Sequence, residues 1–216
     1  MTLLPAFDTD TYPGDQAMHL YRKDFGACGF YLAPAPSHRD TSWMGARSVL
    51  TVLGYVILPI YVGQETAGPG DHEASTARGA IDAADCVSLL GQAGFPLGSA
   101  VFLDLEDGGL LTNEANYAAA WAKAVATSGY RAGVYCSHVI ADRVAFVAPA
   151  ALLWCFRVPT TEETDAEPPY ATPALAGCGY PRAVAWQYRQ NVRLPDDRLV
   201  DLDVVDAGMV GVVTGA

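Results

Sequence analysis

Charge is scarce in this chain, and positive charge scarcer still. Asp, Glu, Lys and Arg make up 17% of 216 residues, with 13 basic against 24 acidic side chains, a net charge of −11 and a pI near 4.6. A deficit of basic residues excludes the electrostatic footprint of a nucleic-acid binder and disfavours an anionic membrane surface as partner. Runs of about eighteen apolar residues are missing, which excludes a membrane-spanning helix. The first residues carry neither a basic segment nor a long apolar one, so no signal peptide is expected as the chain stands, and export by a removed leader or a leaderless route stays open. The five cysteines (Cys28, Cys86, Cys136, Cys155, Cys178) form no CxxC pair, which argues against a zinc site or a disulfide framework and leaves one bridge possible. The histidines His19, His38, His72 and His138 show no i,i+4 metal pairing. GxGxxG, GxxxxGK[ST] and GxSxG are all absent, so nucleotide-binding and serine-hydrolase readings lack their signatures.

What the chain has is apolar residues, 51% of it, arranged as short apolar runs alternating with helical patterns. Strands are expected over Leu3–Phe7, Gly29–Ala33, Val56–Val62, Ala100–Leu105, Arg131–Cys136, Ala151–Phe156 and Ala183–Tyr188, with one or two more in Leu199–Val213. Helices are expected over Asp15–Phe25, Trp43–Leu53 closed by Gly54, Asp71–Ala93, a segment capped by Asn113 and ended by Gly129, and Ser137–Phe146. A glycine-rich loop spans Gly63–Gly70, and Pro159–Pro181 reads as a long acidic, irregular connection. Strand–helix alternation with continuously apolar strands points to a parallel sheet covered on both faces. A doubly wound open sheet competes with a closed barrel. The missing nucleotide motifs favour the barrel, a single irregular (β/α)8 TIM-like domain over residues 1–216.

The most informative motif is Asp104-Leu105-Glu106 at the end of the fourth strand. Residues two apart on a strand share a face, so both carboxyls emerge on one side. Carboxyls that close repel, which favours one protonated and one charged at neutral pH, a division of labour suited to cleaving glycosidic bonds. Barrel active sites lie at the C-terminal strand tips. Reading only those tips gives Asp8, Tyr31, Tyr61 with Gly63 and Gln64, Asp104 with Glu106, Tyr135 with Ser137, Trp154 with Arg157, and Gln187 flanked by Trp186 and Tyr188. Asp201 and Asp203 near the last strand complete the set. Carboxylates, amides and aromatic faces converging on one bowl are what a sugar site needs. Taken singly, each also has an ordinary structural reading, such as turn capping for Asp8, Asp201 and Asp203 or core packing for the aromatics.

The runs Phe7-Asp8-Thr9-Asp10, Gly29 to Pro34, Leu58 to Gln64, Phe102 to Asp107, Gly129 to Ser137 and Ala185 to Tyr188 resemble, in order and spacing, a glycoside hydrolase-like domain widespread in actinobacteria. That domain is itself similar to the family 25 lysozymes, which cleave peptidoglycan on an irregular barrel. The resemblance implies Glu106 as general acid and Asp104 as the group that stabilises the oxocarbenium or orients an acetamido group. It implies that Asp8 binds substrate or tunes the pair, with one of Asp201 and Asp203 as the further aspartate; Asp203 is the candidate retained.

The leading expectation is a glycosidase, lysozyme-like, acting on a bacterial cell-wall polysaccharide as a monomer, with no cofactor and no metal. Its catalytic residues are Glu106, Asp104 and Asp8, and its substrate-binding residues are Tyr31, Gln64, Tyr135, Trp154, Gln187 and Asp203. Burial and the neighbouring Asp104 are expected to raise the pKa of Glu106. Two alternatives are a non-catalytic glycan-binding or cell-envelope module, and a Mg²⁺ or Ca²⁺ site built from Asp8, Asp104, Glu106 and Asp203.

Overall fold

The structure is a computed structural model that describes residues 2–65, 73–106 and 110–210. Residues 66–70 of the glycine-rich loop, Asp71, His72, Asp107 and residues 211–213 of the tail lie outside the described residues. In chain order the elements are β1 (Leu3–Asp8), α1 (Asp15–Tyr21), β2 (Ala27–Tyr31), α2 (Arg47–Leu53), β3 (Val56–Val62) and α3 (Thr76–Gln92). They continue with β4 (Ala100–Leu105), α4 (Thr112–Thr127), β5 (Arg131–Ser137), α5 (Ala141–Val147), β6 (Leu152–Phe156), β7 (Thr164–Asp165), β8 (Ala185–Arg193), β9 (Leu199–Asp206) and α6 (Ala207–Val210).

Strands β1 to β6 pair in sequence, each parallel to the next. β6 then pairs with β8 in parallel, and β9 closes the ring by lying antiparallel between β8 and β1. The result is a closed eight-stranded mixed barrel with the two-residue β7 added at one end of β8, which is the irregular TIM-like barrel read from the sequence. The irregularity sits in the last unit, where β9 replaces a strand–helix repeat and runs the opposite way.

Alternation along each strand sorts the core into two layers. Ala6, Ala27, Leu58, Ile60, Phe102, Trp154, Ala185 and Val205 point inward and fill the barrel. Phe7, Cys28, Phe30, Tyr61, Leu103, Val134 and Leu202 point outward, under the helices and the long connection. Gly133 makes room for Phe102: a Cβ there would lie 2.5 Å from its ring. The five cysteines are all buried and free. They behave as small apolar side chains.

Several local expectations shift. The helix expected over Trp43–Leu53 divides into a 3₁₀ turn at Ser42–Gly45 and α2, and Gly54 caps α2 in the left-handed conformation at φ 80°. α1 and α5 are a single pair of turns each, shorter than their apolar patterns suggested. Asn113 does not cap α4, because it sits inside the first turn. The cap is Leu111, whose N–H donates to the Glu114 carboxylate, and α3 takes Ser75 as its cap. Pro159–Pro181 is irregular, as expected, apart from β7 and a 3₁₀ turn at Leu175–Cys178. Trp186 and Tyr188 do not enter the bowl: on β8 they point outward, where the indole donates to the Arg157 carbonyl and the Tyr188 hydroxyl to that of Ala171. They pin the long connection to the barrel wall.

Candidate active site

At the top of the barrel the inward positions turn from apolar to acidic. Asp8 of β1, Tyr31 of β2, Asp104 of β4, Tyr135 of β5, Trp154 of β6, Gln187 of β8 and Asp201 of β9 surround a narrow cavity of about 20 Å³, lined also by Ile60 and Glu106. A wider groove of about 240 Å³ adjoins it, lined by Asp8, Thr9, Asp10, Tyr31, Asn191, Leu199, Val200 and Asp201. Asp104 and Glu106 do emerge on the same side, as the two-residue spacing requires.

Gln187 is the hub. Its Oε1 accepts from the Tyr135 hydroxyl at 2.7 Å, and its Nε2 donates to Asp201 Oδ2 at 2.7 Å and, more weakly, to Asp8 Oδ2 at 3.5 Å. Asp8 Oδ1 accepts from the Tyr31 hydroxyl at 2.7 Å. Below it, Asp203 Oδ1 accepts from Trp154 Nε1 at 3.0 Å. Asp203 is buried under the cavity floor and its second oxygen finds no amide or hydroxyl donor. Its carboxyl instead lies in hydrogen-bond contact with that of Asp8, which is favourable only with a proton between them.

Because β9 runs against its neighbours, its contribution comes from its beginning and not its end. Asp8 is level with Asp201, and Ala6 with Asp203. Both aspartates face inward: Asp201 lines the cavity and Asp203 supports Asp8 from beneath. The sequence reading takes one of the two and retains Asp203; the Asp-x-Asp spacing puts both on one face. A bulge in β8 between Gln187 and Val192 brings Asn191, at φ 53°, to donate its backbone N–H to Asp201 Oδ1 at 2.8 Å. Nothing in the sequence pattern signals that bulge.

Burial dominates the electrostatics. It pushes Asp104 well above the usual carboxylate range, with the charges of Glu106, Glu65, Asp8 and Asp201 adding in that order. Asp203 is raised likewise, by burial and then by Asp8 and Asp201. Asp201 is pushed up to about 8, again by burial and then by Asp8. Asp8 is raised too, but hydrogen bonds from Tyr31, Asp203 and Gln187 offset part of its burial. Among these four aspartates Asp8 is therefore the one best equipped to carry charge, and Asp104 and Asp203 hold protons. Asp104 Oδ1 has no hydrogen-bond partner among the described residues.

Two expectations need correcting. Glu106 is exposed at the rim, so burial falls on Asp104 and not on Glu106. Gln64 is not among the residues around the cavity. It is buried outside the barrel wall, where Nε2 donates to Asp82 Oδ2 at 2.8 Å and its backbone N–H meets the Tyr117 hydroxyl. Arg78 pairs with Asp82 at 2.9 Å, so Gln64 fastens the top of β3 to α3 and α4. No group of three or more His, Cys, Asp or Glu among the described residues is arranged to hold a metal ion.

Gly29 sets the position of Asp8. A Cβ at residue 29 would lie 2.6 Å from Asp8 Cβ and 3.0 Å from Ile60 Cδ1. Gly29→Ala is therefore expected to displace Asp8 and cost about 1–3 kcal/mol. Urea unfolding read by tryptophan fluorescence checks the cost.

No curated protein matches the sequence. Among solved structures, the chain is similar to the catalytic domain of endolysin ply40 from bacteriophage P40 of Listeria monocytogenes, at a TM-score of 0.67 and 14% identity, over 100% of this chain and 98% of that one. It is similar to the Tat-secreted protein Rv2525c of Mycobacterium tuberculosis at a TM-score of 0.66 and 14% identity, over 94% and 95% of the two chains. A glycosyl hydrolase 25 of Streptococcus pneumoniae aligns at a TM-score of 0.60 and 10% identity, over 94% and 86%. At these identities the likeness is one of fold. The sequence match is to a family model: residues 18–207 fit the Rv2525c-like, glycoside hydrolase-like domain, and the chain belongs to that family.

Proposed function

We propose that this chain is a glycoside hydrolase that cleaves a bacterial cell-wall polysaccharide, with Glu106 as general acid. The observation that carries the reading is the placement of Asp104 and Glu106 on one side of one cavity, together with Asp8, Tyr31, Tyr135 and Gln187. Glu106 stands at the rim, where a bound sugar ring would cover it and its proton would reach the glycosidic oxygen. Asp104 lies deeper, facing the place where the ring carbon gains positive charge. A cation forming there reverses the repulsion that holds the Asp104 proton, so Asp104 ionises and its proton passes to water at the cavity mouth. Asp8, fixed by Tyr31 and Gln187, adds a second negative charge to the field. The phage endolysin catalytic domain and the pneumococcal glycosyl hydrolase 25 on the same fold support a cell-wall glycan as the substrate class.

The test is a digest of purified peptidoglycan by wild type and Glu106→Gln, read by mass spectrometry of released fragments. New reducing ends from wild type alone are the expected result. Equal products from both proteins would remove Glu106 from the mechanism, and binding without products from either would make the chain a glycan-binding module.

A further inference from the structure

We propose that the bowl takes the free ammonium group of a glucosamine residue, so that its preferred glycan is a de-N-acetylated stretch of amino-sugar polymer and not an N-acetylated or anionic one. The inference rests on the glycan-cleaving reading and names the substrate within it. The narrow cavity and the adjoining groove are lined by Asp8, Asp10, Asp104, Glu106 and Asp201, and no Lys, Arg or His lines either of them among the described residues. His38, which packs its ring 5.1 Å from that of Tyr31, is half-buried and burial lowers its pKa, so it supplies no charge at neutral pH. The site thus shares the acidic sign of the whole chain.

The second observation is Asp104 itself. Only 9% of it is exposed, it lines the cavity, and its Oδ1 lacks a partner among the described residues. A buried acceptor without a donor asks for a donor from the ligand. An ammonium group brings three donors, no acceptor and the opposite charge. An acetamido group brings one donor and no positive charge to pair with the charge that Asp8 carries. A carboxylate substituent brings no donor and would face the charge that Asp8 carries with like charge. Burial and mutual repulsion keep protons on these carboxyls, and an ammonium that enters reverses the balance, so binding releases protons.

The experiment is titration calorimetry of the full chain at about pH 6, where a sugar amine carries its proton. The ligands are a tetramer of glucosamine and a tetramer of N-acetylglucosamine, in two buffers of different ionisation enthalpy. The glucosamine tetramer is expected to bind on the order of tenfold more tightly or better, with proton release. The preference is expected to shrink at about 0.5 M salt. It is also expected to shrink in Asp201→Asn and in Asp10→Asn, the latter at an exposed position whose replacement leaves the core untouched. Equal or tighter binding of the N-acetylated tetramer overturns the proposal and leaves the glycosidase reading standing. If neither tetramer binds, the proposal is overturned, and the peptidoglycan digest decides whether the glycosidase reading falls with it.

Discussion

Glu106→Gln should lower turnover on peptidoglycan by about 10²–10⁴-fold, the usual contribution of a positioned proton donor. Glutamine keeps the size and the hydrogen-bonding reach of the side chain, and it has no acidic proton to give a leaving oxygen. Glu106 is exposed after the end of β4, so its replacement leaves the packing of the barrel unchanged. The melting temperature of the variant should therefore match wild type, because surface changes shift stability by only about 0.5 kcal/mol. Lost turnover with unchanged melting and unchanged glycan affinity is the signature of a residue that acts in the transition state alone. Lost affinity in equal measure would instead make Glu106 a binding group. Asp104→Asn makes a useful contrast. It keeps a donor and an acceptor in the cavity and removes the ability to ionise, so it should slow turnover and, because it relieves a buried acid, leave the fold intact or firmer.

The second large effect is a stability profile tilted toward acid. Asp8, Asp104, Asp201 and Asp203 all have carboxyls raised above their ordinary value of 3.8, Asp201 to about 8, with burial the first cause in each. The sign follows from proton binding. Between about pH 4 and 8 the native state holds protons that the unfolded chain has released, so stability falls as pH rises through that window. It is fully present below the unfolded value and is lost as each folded value is passed. Asp201 is partly exposed and screened by water, and its share is about 2–3 kcal/mol once discounted for that screening. His38 works in the opposite sense, since its lowered pKa withdraws stability as pH falls below about 6.5. The four carboxyls outweigh one ring. Urea midpoints measured from pH 5 to pH 8 should decline, and Asp201→Asn should flatten the decline and raise the midpoint at pH 8. A midpoint that climbs toward pH 8 in wild type would show these carboxyls to be ionised in the native state.

Much of the barrel was legible because its strands are short, apolar and separated by helical patterns. Val56–Val62 and Ala100–Leu105 come out with the expected bounds, and the two-residue spacing of Asp104 and Glu106 put both on one side. Failures concentrate where tertiary geometry overrides local pattern. Trp186 and Tyr188 flank an inward residue on the same strand, and alternation alone turns them out of the site. Gln64 follows β3 like the other tip residues, yet a buried aspartate on α3 captures its amide. The sequence offers no sign of that partner, because Asp82 reads as one more polar residue on a helix. The antiparallel course of β9 was equally silent. Its apolar alternation is the same read in either direction, and only the register against β1 shows that Asp201 and not a residue near its end meets Asp8. Asn191 needed the β8 bulge, a backbone feature without a residue signature here.

That closing strand also governs the order of events during synthesis. Asp8 leaves the ribosome well before three groups that hold it in place, Gln187, Asp201 and Asp203. A nascent chain with β1 to β6 already paired is an open sheet with two bare edges, and it carries an acidic side chain that has nothing to share its proton with. Ring closure joins β1 to β9 in one late step of high contact order, the slow kind of contact to make. The carboxyl cluster is thus assembled only when the barrel is, and a ribosome stalled before β9 would present neither.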